Sequence, residues 1–131
     1  MKREAINPWD WSLKLGYNQA EVIQGATRQL TCAGQTAVDG EGKPQHLNDM
    51  RAQINLALDN LESVVHEASM DLSNITRLSI YTTNVEEALE HFDLIGIRFG
   101  SKQSAPPMTL SGVTSLAIPG LLFEIEANAV A

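Results

Sequence analysis

Residues 50–82, MRAQINLALDNLESVVHEASMDLSNITRLSIYT, decide the fold. Met50, Ile54, Ala57, Leu58, Leu61, Val64, Val65 and Ala68 recur at three- and four-residue spacing, which predicts an amphipathic helix running through Ser69. Asn48 is suited to cap its N-terminus, and Asp49 in the first turn complements the helix dipole. After a connector at Asp71–Asn74, the period changes. Ile75–Thr82 alternates and is rich in β-branched residues, as a strand requires.

The same two periods organise the rest of the chain. Asn84 and Glu87 are spaced as a capping box, and Val85, Ala88, Leu89, Phe92, Ile95 and Phe99 form the apolar stripe of a second helix that Gly100 stops. A loop at Ser101–Pro107 leads to strands at Met108–Val113 and Leu121–Val130, joined through Ile118-Pro119-Gly120. Upstream, residues 17–35 read as a hairpin turning at Gly25. VDGEGKPQH (38–46) reads as a loop. Residues 1–16 hold Asn7-Pro8, Trp9 and Trp11 ahead of any regular pattern, and predict a segment docked onto a domain of residues 17–131.

Two helices can cover only one face of such a sheet. In FEIEANAVA (123–131), Phe123, Ile125, Ala127 and Ala129 share one side, while Glu124, Glu126 and Asn128 share the other. The uncovered face is expected to carry Glu124 and Glu126 together with Thr31, Ala33, Ser79 and Tyr81. That set is too polar for a core and too poor in lysine for a plainly exposed sheet. It suits a homo-oligomer that packs sheet against sheet.

Composition narrows the function. A chain of 131 residues is expected to fold as one domain. Its nine Lys and Arg are scattered and its formal net charge is −7, which argues against nucleic acid and against an anionic membrane surface. No stretch approaches a membrane span, and MKREAINPWDW lacks the apolar run of a signal peptide. A single cysteine, Cys32, rules out an internal disulfide and points to a cytoplasmic setting; it reads as a small buried hydrophobe. His46, His66 and His91 lack metal-ligand spacing, so neither a metal nor another cofactor is expected.

Four stretches, C-A-G-Q (32–35), R-A-Q-I-N-L-A-L-D-N-L (51–61), R-L-S-I-Y-T-T (77–83) and E-I-E-A (124–127), together resemble the RidA/YjgF family of imine and enamine deaminases, also labelled endoribonuclease L-PSP. The likeness runs from Tyr17 to the C-terminus. It implies an α+β, chorismate-mutase-like single domain, with a mixed β-sheet backed by two α-helices on one face. It also implies a homotrimer around a central β-barrel, with small-molecule clefts between neighbours.

In deaminating members, an arginine in a P-A-R-[ST] stretch clamps the substrate carboxylate, and the acid of the terminal E-I-E positions water for attack on the imine carbon. Main-chain groups of an S-G-Q turn, a tyrosine, a helix asparagine and a small residue two places past the arginine complete the pocket. Carried onto this chain, the catalytic acid is Glu124, the tyrosine is Tyr17 and the main-chain groups belong to Ala33 and Gly34. Phe92 falls on the asparagine, Met108 on the arginine and Leu110 on the small residue. Met108 removes a permanent charge, and a carboxylate buried there unpaired would lose on the order of a hundredfold in affinity. The resemblance therefore implies hydrolysis of a neutral or apolar imine, or a non-catalytic trimer binding an apolar or aromatic metabolite in the same clefts.

Overall fold

The computed structural model describes residues 1–131. Its central sheet has four strands in the order β3-β6-β4-β5: β3 is Gln29–Thr31, β4 Ile75–Thr82, β5 Met108–Gly112 and β6 Phe123–Val130. β6 runs antiparallel to both β3 and β4, whereas β5 lies parallel to β4. A parallel neighbour needs a crossover, and helices α2 (Val85–Glu90) and α3 (Asp93–Gly100) supply it. The sheet is mixed, as the sequence led us to expect.

Helix α1 (Met50–Glu67) packs across this sheet. Met50, Ile54, Leu58, Leu61 and Val65 bury against Phe123, Ile125, Ala127 and Ala129 of β6 and Ile75, Leu78 and Ile80 of β4. Asp49, one residue later than expected, is the N-cap and accepts the Ala52 N–H at 3.0 Å. Asn48 instead takes a left-handed φ of 62°, which asparagine tolerates. Gln53 is fully buried and satisfied on both sides of its amide. It donates to the carbonyls of His46 (3.2 Å) and Gly120 (3.0 Å) and accepts from the Leu122 N–H (2.8 Å), fixing the approach to β6.

Two larger expectations also change. The second helix is broken, because the N–H groups of His91 and Phe92 bond three residues back and tighten the chain out of α-geometry. Leu89 faces outward, 53% exposed, while Ala88, Ile95 and Phe99 stay in the core. Arg51 grips Asp93 through two bonds, at 2.9 and 2.8 Å, and holds the start of α3 against α1.

The second change is the hairpin. Residues 17–35 do not pair with themselves: β2 (Ala20–Gln24) pairs with β1 (Lys2–Ile6), and β3 pairs with β6. Gly25, at φ 77°, turns the chain away from β2. The N–H groups of Thr27 and Arg28 both bond to the Ala131 carbonyl, so the C-terminal strand captures β3. β1 attaches to the body through Arg3, whose guanidinium meets Glu21 and the carbonyls of Ser73 and Ile75. Trp9 and Trp11 remain 61% and 48% exposed, so strand pairing and Arg3, rather than tryptophan packing, hold this segment. No helix is long and apolar enough to cross a membrane.

Candidate functional site

Strand alternation puts Glu124 and Glu126 on the sheet face away from the helices, between the buried residues Phe123, Ile125 and Ala127. Across the β4–β6 ladder, Tyr81 stands opposite Glu124, Ser79 opposite Glu126 and Arg77 opposite Asn128. The Tyr81 hydroxyl reaches diagonally and donates to Glu126 Oε1 at 2.9 Å. That bond and the Glu126 charge push the phenol's pKa up.

Gln35 and Ile125 exchange both backbone hydrogen bonds, at 2.7 and 3.0 Å, which draws the turn at Ala33-Gly34 against Glu124. The approach is so close that a Cβ on Gly34 would lie 2.2 Å from Glu124 Oε1 and 2.6 Å from its carboxyl carbon. No donor of the chain bonds the Glu124 carboxylate, and neither the Ala33 nor the Gly34 N–H is spent on another group. Burial raises the Glu124 pKa, and the charge of Glu126 raises it further. One carboxyl displaced upward by burial therefore lies against the turn at Gly34, where the Ala33 and Gly34 N–H groups are unspent.

The remaining expected residues lie elsewhere. Met108 and Leu110 stand opposite Leu78 and Ile80 on the covered face and pack against the core, while Thr109 and Ser111 share the face of Ser79 and Tyr81. Phe92 and Met108 line a cavity of about 80 Å³ with Gly16, Ile95, Phe99 and Ser104. Leu110 is not part of its wall. Tyr17 follows Gly16 and meets Trp11 edge to face, with ring centroids 6.1 Å apart and planes at 83°.

The expected residues thus form two groups separated by the sheet. Ala33, Gly34 and Glu124 come together, as do Phe92 and Met108, with Tyr17 beside them. A single copy does not bring Glu124 to Met108. Neither does another arginine reach Glu124. Arg28 donates to the Ala68 carbonyl, and Arg77, on the Glu124 face but farther along the ladder, donates to Thr109 Oγ1. Sequence reasoning placed Tyr81 on the right face but gave it no role, because its bond to Glu126 depends on inter-strand register. No cluster of three or more His, Cys, Asp or Glu residues is positioned to hold a metal ion.

A sequence-family model described as Endoribonuclease L-PSP matches residues 13–131. The Rid-family protein YyfB from Yersinia pestis is 32% identical over 100% of both chains, with a TM-score of 0.85. Rv2704 from Mycobacterium tuberculosis, of the YjgF/YER057c/UK114 family, is 28% identical over 99% of this chain and 100% of its own, with a TM-score of 0.65. TdcF from E. coli, crystallised with bound serine, shares the fold at 24% identity, covering 88% of this chain and 87% of its own with a TM-score of 0.71. No curated protein matches by sequence. The family match over nearly the whole chain agrees with the strand order and the Glu124 turn: the chain belongs to the Rid/YjgF family.

Proposed function

We propose that this protein hydrolyses small imines or enamines that carry no carboxylate, in clefts completed by a second copy within a homotrimer. One observation carries the reading: the Glu124 carboxyl, with its pKa raised by burial, lies against Gly34 beside unspent N–H groups. As the carboxylate, Glu124 would take a proton from water as the oxygen adds to the imine carbon. The C=N bond becomes a C–N single bond, and the N–H groups of Ala33 and Gly34 orient the reacting polar atoms. Glu124 returns that proton to nitrogen and then carries the proton of the new hydroxyl to the same nitrogen, so that the C–N bond breaks, the carbonyl forms and neutral ammonia leaves.

The small apolar cavity at Phe92 and Met108 supports the preference for an uncharged substrate, with Tyr17 beside it and no arginine in its wall. Because the sheet separates the two groups within one copy, a neighbouring copy would have to bring Glu124 to that cavity. No cofactor is needed for this hydrolysis. Nucleic acid is not the substrate we assign, despite the family model's description. The net charge is −7, and Arg3, Arg51 and Arg98 are already held by carboxylates. A cytoplasmic setting remains the reading from the single thiol.

The test is ammonia release from a panel of neutral imines and 2-imino acids, with wild type and Glu124→Ala side by side. Turnover of a neutral imine that vanishes in the variant supports hydrolysis. Ligand-dependent thermal stabilisation without turnover supports the second reading, a non-catalytic binder, which the apolar character of the Phe92–Met108 cavity favours.

A further inference from the structure

The β1–β2 pair and the loop between α3 and β5 line a second, open cavity of about 280 Å³, away from Glu124 and bordering the Phe92–Met108 cavity at Ser104. Arg3, Asn18 and Glu21 come from the β1–β2 side, and Ser73, Lys102 and Ser104 from the other. The Glu21 side chain is only 7% exposed. One of its oxygens, Oε2, is taken by Arg3 at 2.7–2.8 Å, while Oε1 accepts nothing from the chain. Oε1 stays in contact with the solvent of the cavity, so an incoming donor can reach it without displacing Arg3.

Lys102 contributes the opposite charge. Its nearest acid is Asp71, 3.8 Å away, with both side chains well exposed, so its ammonium is free to turn toward the cavity. Asn18 spends Oδ1 on Asn7 and its N–H on the Ala105 carbonyl, leaving its amide nitrogen unused, and Ser104 Oγ has no partner. The space is too small for a drug-sized ligand and large enough for a small metabolite.

We propose that this cavity binds a small zwitterion of the α-amino-acid type, its ammonium on Glu21 Oε1 and its carboxylate between Lys102 and Asn18. A simple amine would leave Lys102 without an acceptor, and a simple carboxylate would leave Glu21 Oε1 without a donor. Only a molecule carrying both charges satisfies both walls. Arg3 is already committed as the counter-ion of Glu21 and holds that carboxylate in place.

An NMR titration of the full chain with glycine and L-alanine tests the assignment, with methylammonium and acetate as the two half-ligands. Saturable amide shifts at Asn18, Glu21 and Lys102 with the amino acids, and binding of either half-ligand about tenfold or more weaker, are expected. Lys102→Met, at an exposed position, should weaken amino-acid binding about tenfold without disturbing the fold. Glu21→Gln should weaken it further. Glu124→Gln should leave it unchanged, which separates this cavity from the proposed hydrolytic cleft. Absence of saturable shifts, acetate binding as well as glycine, or indifference to Lys102→Met would each overturn the proposal.

Discussion

Gly34→Ala isolates the contact on which the proposed hydrolysis depends. Gly34 lies outside the left-handed region, so alanine suits its backbone. The added Cβ, however, would fall 2.2 Å from Glu124 Oε1 and 2.9 Å from its Cγ, where ordinary contact begins at 3.4 Å. The carboxyl must therefore retreat by more than 1 Å, swinging away from the turn. A displacement of that size costs about a hundredfold in rate when the group acts on substrate. Stability should change by less than about 1 kcal/mol. Reduced freedom of the unfolded chain favours alanine by about 0.4–1 kcal/mol, against a rotamer cost of about 0.5–1.5 kcal/mol. The assay is kcat/KM for ammonia release beside urea unfolding, with the Glu124 carboxyl followed by carbon-detected NMR across pH. Unchanged unfolding, a large fall in kcat/KM and a Glu124 pKa moving back toward its ordinary value are expected together. Full activity with an unaltered Glu124 titration would refute the reasoning.

Three further outcomes follow from the same geometry. The folded-state pKa of Glu124 lies above its unfolded value, so between the two the folded protein holds the extra proton, and stability falls as pH rises through that window. Thermal unfolding of Glu124→Gln should lack this decline and leave the variant at least as stable as wild type at neutral pH. Gln53→Leu should cost about 3 kcal/mol in urea unfolding, because the carbonyls of His46 and Gly120 and the N–H of Leu122 lose their buried partner. Arg3→Met leaves Glu21 buried without its counter-ion and should destabilise by about 3 kcal/mol, with hydrogen exchange accelerating first in β1 and β2.

The legible parts of this fold are those where one period runs uninterrupted. β4 occupies the expected residues Ile75–Thr82, and α1 ends at Glu67, two residues short of expectation. The polar face of the sheet was equally readable, since FEIEANA alternates and its burial follows suit, the pattern failing only at Val130, which is buried beside Ala129. β1 was invisible because KREAI is short and polar. Its place is fixed by pairing with β2 and by Arg3 reaching Ser73 and Ile75, about seventy residues away in sequence. The break near His91 was hidden because Leu89 fits a continuous apolar stripe as well as Ala88 does.

The candidate site was legible in its parts and not in their arrangement. A linear resemblance identifies Glu124 and Met108 as positions but does not say that they project from opposite faces. A signal was present in M-T-L-S (108–111), where Met108 and Leu110 alternate with Thr109 and Ser111 as a half-buried strand does. That alternation already assigns Met108 to the core side. The bond from Tyr81 to Glu126 carried no comparable signal, because neither residue type nor spacing reveals which strands are neighbours.

No guanidinium stands with Met108 or Glu124, so the proposed cleft should favour substrates without a carboxylate. The most direct measurement compares kcat/KM for a neutral imine and for a 2-imino acid of matched size, on the same wild-type preparation. The account predicts that the neutral imine is preferred by about a hundredfold. Equal or faster turnover of the 2-imino acid would contradict it.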